Sequence, residues 1–284
     1  MTGTRTMIVA AALVLASCSD RTSSSVAANP EATLRADRRP VYLALGDSVP
    51  FGWSNALADS SVPWRFVGYP QYLGFELGLR VLDAACPSEA SGSFISADQP
   101  DDGCRAYRES HALHVDYPGT QLDYALAVVH DTPRLELVTL QLGANDLQLL
   151  AKGCLGDANC ILAGLPATLE STATNLATII GALRVVAGYT GRLVVVDYYN
   201  PTTDPTQEAL IEALDGALQG AAAATGSDLV DLRVPFARAA ARVGGDPCAT
   251  GLIAKDNGTC EIHPSQLGHL FIATLIAREV ERAR

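Results

Sequence analysis

Five short apolar runs, each bordered by residues with helical spacing or by turn residues, constrain the fold of this chain more than any other feature. They are Val41–Leu45, Val81–Ala85, Leu135–Leu142, Leu193–Val196 and Leu229–Leu232. The run Leu193-Val194-Val195-Val196 does not alternate with polar residues, as expected of a parallel strand covered on both faces. Between the runs the period changes. A helical stretch carries Tyr72, Leu73, Phe75, Leu77 and Leu79. Leu122, Ala125, Leu126 and Val129 fall at i, i+3, i+4 and i+7. Leu169, Ala173, Leu176, Ile180 and Leu183 share one helical face, a further helix spans about Pro205–Ala224, and the last begins near Pro264. Strands and helices alternating in this way predict an α/β fold, a three-layer α/β/α sandwich around a mostly parallel five-stranded sheet. Residues 86–117 and 244–262, rich in Cys, Pro, Ser, Gly and Asp, read as two long loops.

Three segments follow or flank these strands and carry chemistry: Gly46-Asp47-Ser48, Gly143-Ala144-Asn145-Asp146 and Glu261-Ile262-His263-Pro264. Open α/β sheets bind ligands at the carboxyl ends of their strands. A strand-end serine by itself is ordinarily a turn or cap residue. A serine with a histidine and a side-chain amide is a different matter. A hydroxyl is a poor nucleophile at neutral pH and needs a base, and histidine titrates in the right range. The tetrahedral intermediate needs donors aimed at its oxygen, which Asn145 and backbone N–H groups can supply.

Leu45-Gly46-Asp47-Ser48, Gly143-Ala144-Asn145-Asp146 and His263-Pro264 together resemble the blocks of the SGNH (GDSL-type) hydrolases, and the resemblance spans residues 41 to about 280. It implies a flavodoxin-like sheet and a serine esterase or lipase acting on carboxylic esters of an acyl lipid or acetylated glycan. Ser48 would be the nucleophile and His263 the base. The N–H groups of Ser48 and Ser88 and the side chain of Asn145 would form the oxyanion hole. The resemblance implies neither a metal nor an organic cofactor. The chain departs from the family pattern twice. Its second block places Ser88 where glycine is usual, with Gly92 as the alternative donor. A backbone N–H survives that change, although serine is strained if the position requires positive φ. The acid often found three residues before the histidine is replaced by Cys260, so Glu261 is the candidate to orient His263, and a backbone carbonyl is the alternative. An acyltransferase would use the same residues, and a lipoprotein that binds glycan or lipid without turnover is the reading from another class.

The other titratable and aromatic candidates are assigned lesser parts. His269 falls inside the last helix and reads as structural, His111 and His114 as loop surface with the wall of a substrate pocket as the alternative, and His130 as a helix-end residue. Asp146 braces its loop, and Trp53, Tyr198 and Tyr199 either line a pocket or pack in the core.

The amino terminus describes an exported protein. Arg5 precedes an apolar run, Met7–Ala16, too short to span a bilayer, followed by Leu15-Ala16-Ser17-Cys18. This resembles a bacterial lipobox, with Cys18 as the lipidation site. An ordinary secretory signal is the alternative, and both export the chain. The expected organisation is a signal over 1–18, a flexible tether over 19–39 and one hydrolase domain over 40–284, acting as a monomer held to the cell envelope by its lipid. Six cysteines then remain in an oxidising compartment. Six allow 15 pairings. Nearest-neighbour pairs are expected: Cys86–Cys104, Cys154–Cys160 and Cys248–Cys260. A zinc site competes for them, but the chain has neither Cys-x-x-Cys nor a histidine pair at metal spacing. A formal charge of -11 argues against nucleic acid as a partner.

Overall fold

The structure, a computed structural model, describes residues 39–282. The signal, all of the tether before Arg39 and Cys18 lie outside the described residues.

Five strands, β1 (Val41–Gly46), β2 (Arg80–Asp83), β3 (Leu135–Gln141), β4 (Arg192–Val196) and β5 (Asp228–Val230), form one sheet in the order β2-β1-β3-β4-β5. All four pairings are parallel. β1 is buried along its whole length, and Val194, Val195 and Val196 are inaccessible, which accounts for their unbroken apolar sequence. Two polar groups inside this layer satisfy each other, with the Tyr42 hydroxyl 2.6 Å from Thr139 Oγ1. Parallel strands joined this way require crossover connections, which are right-handed as a rule and carry the helices onto the sheet. Helix Tyr69–Leu77 packs on the last helix, Gln266–Arg282, and helix Ala158–Gly181 packs on helix Pro205–Thr225. In this strand order the direction of winding reverses between β1 and β3. The carboxyl ends of those two strands therefore border a crevice that the connections leave open. Gly46-Asp47-Ser48 and Gly143-Ala144-Asn145 lie there.

Four segments differ from the sequence expectation. The stretch 86–117 contains two short helices, Ser91–Ile95 and Cys104–Ser110. Their one or two turns are too few to show a period amid Gly, Ser and Cys. The stretch 244–262 contains most of an antiparallel hairpin, β6 (Ile253–Asp256) and β7 (Thr259–Pro264), and the last helix begins just after it, at Gln266. The Asn145 motif is the first turn of a helix, Ala144–Gly153, and not a loop. A further helix, Arg233–Ala241, follows β5.

Cys86–Cys104, Cys154–Cys160 and Cys248–Cys260 are disulfides, with Cα–Cα separations of 5.6, 5.6 and 5.9 Å. Closing a chain segment of this size removes unfolded-state entropy worth up to about 3 kcal/mol. The first bridge fastens the segment that carries Ser88, and the third fastens the hairpin that carries His263. Among the described residues no helix is long and apolar enough to cross a membrane.

Candidate active site

Ser48 opens a four-residue helix, Ser48–Phe51, directly after β1. Asp47 caps it, its Oδ1 accepting from Val49 N–H at 2.9 Å. Gly46 is required before it: φ is +140°, and a Cβ there would lie 2.1 Å from the Gln141 carbonyl oxygen on β3. The turn is clamped from the side by Gln121. Its Oε1 accepts from Gly46 N–H at 2.6 Å, and its Nε2 donates to Gly46 C=O at 3.0 Å. Sequence reasoning missed Gln121. The available signal was a polar residue in register with Ala125 and Val128 on the buried face of its helix.

His263 comes from β7, a different part of the chain. Ser48 Oγ lies 3.1 Å from His263 Nε2, and His263 Nδ1 lies 3.1 Å from Glu261 Oε2. Strand geometry explains why an acid two residues before the histidine is in place. Residues i and i+2 of a strand point to one face, so Glu261 and His263 stand side by side and both are buried, while Ile262 points away and is 54% exposed. An irregularity helps to aim them. From Ile253 to Lys255 on β6, the partner strand runs from Pro264 back to Cys260, so the Glu261–His263 segment bulges from the ladder. Cys260, three residues before the histidine, is taken up by the disulfide to Cys248.

Glu261 is held at both oxygens. Oε1 accepts from the Ser54 hydroxyl at 2.8 Å, and Oε2 accepts from Asn55 N–H at 2.9 Å as well as from His263. Burial pushes its pKa up, but the hydrogen bonds from His263, Asn55 and Ser54 outweigh burial and leave it below the usual carboxylate value. An ionised Glu261 has only acceptors to offer, so Nδ1 of a neutral His263 carries the proton and Nε2 is free to accept from Ser48.

The candidate oxyanion donors converge on the same cleft, which Ser48, Ser88, Asn145 and His263 all line. Ser48 N–H, in the first turn, has no intrahelical acceptor. Asn145 uses one Nδ2 hydrogen on the Glu89 carbonyl, at 2.9 Å, and keeps the other. Ser88 adopts φ 65, so the strain foreseen for a serine at this position is present. Gly92 lies inside helix Ser91–Ile95 and is not among the residues lining the cleft. Ser88→Gly is expected to relieve the strain and raise stability by about 0.5–1 kcal/mol, or roughly 1–4 °C in Tm for a domain of this size, measured by thermal denaturation.

A second set of residues braces the site. Asp146 accepts from the Ser91 hydroxyl at 2.6 Å and from Ser91 N–H at 3.0 Å, and so ties the Asn145 helix to the segment after Ser88. The Tyr198 hydroxyl donates to Asp47 Oδ2 at 2.5 Å, joining the end of β4 to the serine turn. Tyr199 donates to the Ile262 carbonyl at 2.8 Å, and both tyrosines are buried. Trp53 lines the cleft, as does His111. His114 is not surface: its Nε2 lies 3.1 Å from the Phe51 carbonyl, beneath the site. His269 is buried, and burial, with a smaller effect from His263, pushes its pKa to about 3, so it is a neutral core residue. Among the described residues the one cluster of metal-type ligands is Cys86, Glu89 and Cys104. Its two sulfurs are joined to each other, which removes the thiolates a metal would need.

Buried carboxyls around the site give the fold a pH dependence. Burial pushes Asp47 to about 6, against the opposing effects of Tyr198, Val49 N–H and His263. It pushes Glu89 to about 7, and Asp197 and Asp215, near the end of β4, to about 8 and about 7. These groups titrate near 4 when unfolded. Between pH 4 and those folded values the native state therefore binds more protons than the unfolded one, and stability falls as pH rises. Glu261 acts oppositely and loses its contribution only as pH falls below the usual carboxylate range. Tm is expected to be highest near pH 4 and at least about 5 °C lower at pH 8, with Glu89→Gln flattening the decline. Thermal melts across pH 4–9 measure it.

A parallel sheet presenting a serine, a histidine and a carboxylate in hydrogen-bonded sequence at its switch point defines a hydrolase. Residues 44–270 match the profile of the GDSL-like Lipase/Acylhydrolase family, and the chain belongs to that family. Comparison with curated protein sequences gives no match. Solved structures share the fold at low identity. Phospholipase A1 from Streptomyces albidoflavus NA297 superposes with a TM-score of 0.56 at 16% identity, covering 85% of this chain and 99% of that one. The extracellular lipase of Streptomyces rimosus gives 0.53 at 17%, covering 85% and 99%. An acetylxylan esterase from Geobacillus stearothermophilus gives 0.52 at 17%, covering 85% and 94%.

Proposed function

We propose that this chain is an exported carboxylic ester hydrolase in which Ser48, His263 and Glu261 act as a triad. The observation that carries the reading is the unbroken path Ser48 Oγ–His263 Nε2, 3.1 Å, and His263 Nδ1–Glu261 Oε2, 3.1 Å, assembled from two ends of the chain. Ser48 Oγ attacks the ester carbonyl and passes its proton to His263 Nε2. The oxyanion is held by the N–H groups of Ser48 and Ser88 and by Asn145 Nδ2. His263 then protonates the departing alkoxide, and the Ser48 acyl ester is left. Water, deprotonated by the same nitrogen, cleaves that ester to the free acid and regenerates Ser48. Glu261 stabilises the imidazolium formed in both halves.

Export through the amino-terminal signal and anchorage by a lipid on Cys18 belong to this reading. They rest on the apolar run that ends at Cys18 and agree with three disulfides in the folded domain. The test is labelling of the purified protein with a serine-directed fluorophosphonate, alongside hydrolysis of p-nitrophenyl esters from acetyl to palmitoyl. Labelling at Ser48 together with hydrolysis is expected. A folded protein that neither labels nor hydrolyses is a binding lipoprotein. Metabolic labelling with a palmitate analogue, lost in Cys18→Ser, tests the anchor.

A further inference from the structure

Two chambers meet at Ser48, and their walls differ in chemistry. Ser48, Asn145, Gln148, Ile262 and His263 line both. One chamber, about 410 Å³, is walled by Trp53, Asp102, Tyr107, Ser110 and His111. The other, about 230 Å³, lies between helices Ala144–Gly153 and Pro205–Thr225, with Leu147, Ala151, Tyr198, Tyr199, Leu210 and Ile211 in its wall beside the polar Asp47, Thr202 and Gln207. We infer that the smaller chamber takes the acyl half of the ester and the larger takes its alcohol, and that the substrate is a medium-chain fatty acyl ester of a polyhydroxylated alcohol. This assignment rests on the esterase reading of Ser48 and deepens it.

The apolar chamber suits a hydrocarbon. Its tyrosines spend their hydroxyls elsewhere, Tyr198 on Asp47 and Tyr199 on the Ile262 carbonyl, so what they offer the chamber is ring surface. At roughly 30 Å³ for each water-sized group, a chamber of this size holds a chain of about six to eight carbons. Each methylene placed there raises kcat/KM by roughly fourfold, and methylenes beyond the wall add nothing.

The larger chamber suits the same chain less. Seating hydrocarbon against it would desolvate Ser110 and His111 without replacing their hydrogen bonds to water. A polyol replaces them. Asp102 is held in place by Lys152 Nζ at 2.6 Å from Oδ1, and Ser110 Oγ lies 2.8 Å from His111 Nδ1. The aromatic floor is ordered as well. The His111 ring stacks on Tyr107 at 4.7 Å and 8°, and Trp53 meets Tyr107 edge-on at 5.6 Å. Flat rings bordered by a carboxylate and hydroxyl groups fit the alternating C–H and O–H faces of glycerol or a sugar.

The experiment has an acyl arm and an alcohol arm. In the acyl arm, wild-type kcat/KM on p-nitrophenyl esters is expected to rise from acetyl to a maximum at hexanoyl or octanoyl and to fall at palmitoyl. Leu210→Trp and Ala151→Phe, from opposite walls, each lower the octanoate-to-acetate ratio at least tenfold. In the alcohol arm, mono-octanoyl glycerol and octanoyl glucose are both cleaved faster than methyl octanoate. His111→Leu lowers that preference while the chain-length ratio stays as in wild type. The faster of the two polyol esters identifies the source of the alcohol. A chain-length ratio unmoved in both wall variants, with hydrolysis intact, overturns the acyl assignment. Faster cleavage of methyl octanoate than of either polyol ester overturns the alcohol assignment. Absence of both hydrolysis and fluorophosphonate labelling in the wild type overturns the esterase reading and, with it, this one.

Discussion

Ser48→Ala is expected to lower kcat/KM for ester hydrolysis by about 10⁵–10⁶ and to abolish fluorophosphonate labelling. The size follows from what the hydroxyl does. It is the one atom that forms a bond to the acyl carbon, and without it the remaining donors can only polarise the ester toward water. The residue left by such a change in other serine hydrolases is roughly 10³–10⁴ over the uncatalysed rate. The fold is expected to tolerate the change. Ser48 Oγ contributes one hydrogen bond, to His263, worth about 1 kcal/mol, while the turn itself is held by Asp47, Gln121 and the packing of Phe51. Tm therefore moves by no more than roughly 2–4 °C. Steady-state kinetics with melts on the same preparation measure both. More than a tenth of wild-type activity in a folded Ser48→Ala protein would mean that another group attacks.

The sheet and its switch point were legible in the sequence because burial on both faces leaves strands with no polar residues to place. Leu193–Val196 is the plainest case, four apolar residues bounded by Arg192 and Asp197. Ser48, Asn145 and His263 were legible because each sits in a short motif whose chemistry is specific to residue type. The hairpin was not. β6 and β7 hold four and six residues, they alternate only in part, and their pairing is interrupted where it matters most. Reading that segment as a loop left the role of Glu261 open, since only in a strand does a spacing of two place both side chains on one face. Gln121, Asp215 and the hydrogen-bonding role of Tyr198 escaped for a different reason. Their function is to satisfy buried polar groups of a turn brought next to them by the fold, as when Tyr198 N–H finds Asp215 at 3.0 Å, and no local pattern encodes a partner 17 to 151 residues away.

Glu261→Gln separates orientation from charge at the histidine. In the native site Oε2 accepts from both His263 Nδ1–H and Asn55 N–H, and Oε1 accepts from the Ser54 hydroxyl. A glutamine can seat its carbonyl oxygen at the Oε2 position and keep the first two bonds, while the Ser54 hydroxyl turns to accept from its amide. The opposite seating brings the NH₂ group against the Asn55 donor and is disfavoured. Backbone geometry therefore retains the productive tautomer, in contrast to sites where an amide replacement inverts it. What is lost is the negative charge beside the imidazolium. The expected fall in kcat is about 10²–10³, less than the roughly 10⁴ seen where the tautomer is lost as well. Glu261→Ala removes charge and orientation together and is expected to cost about 10³–10⁴ in kcat. If both variants stay within fivefold of wild type in steady-state kinetics, His263 is oriented by something other than Glu261 and the site works as a dyad.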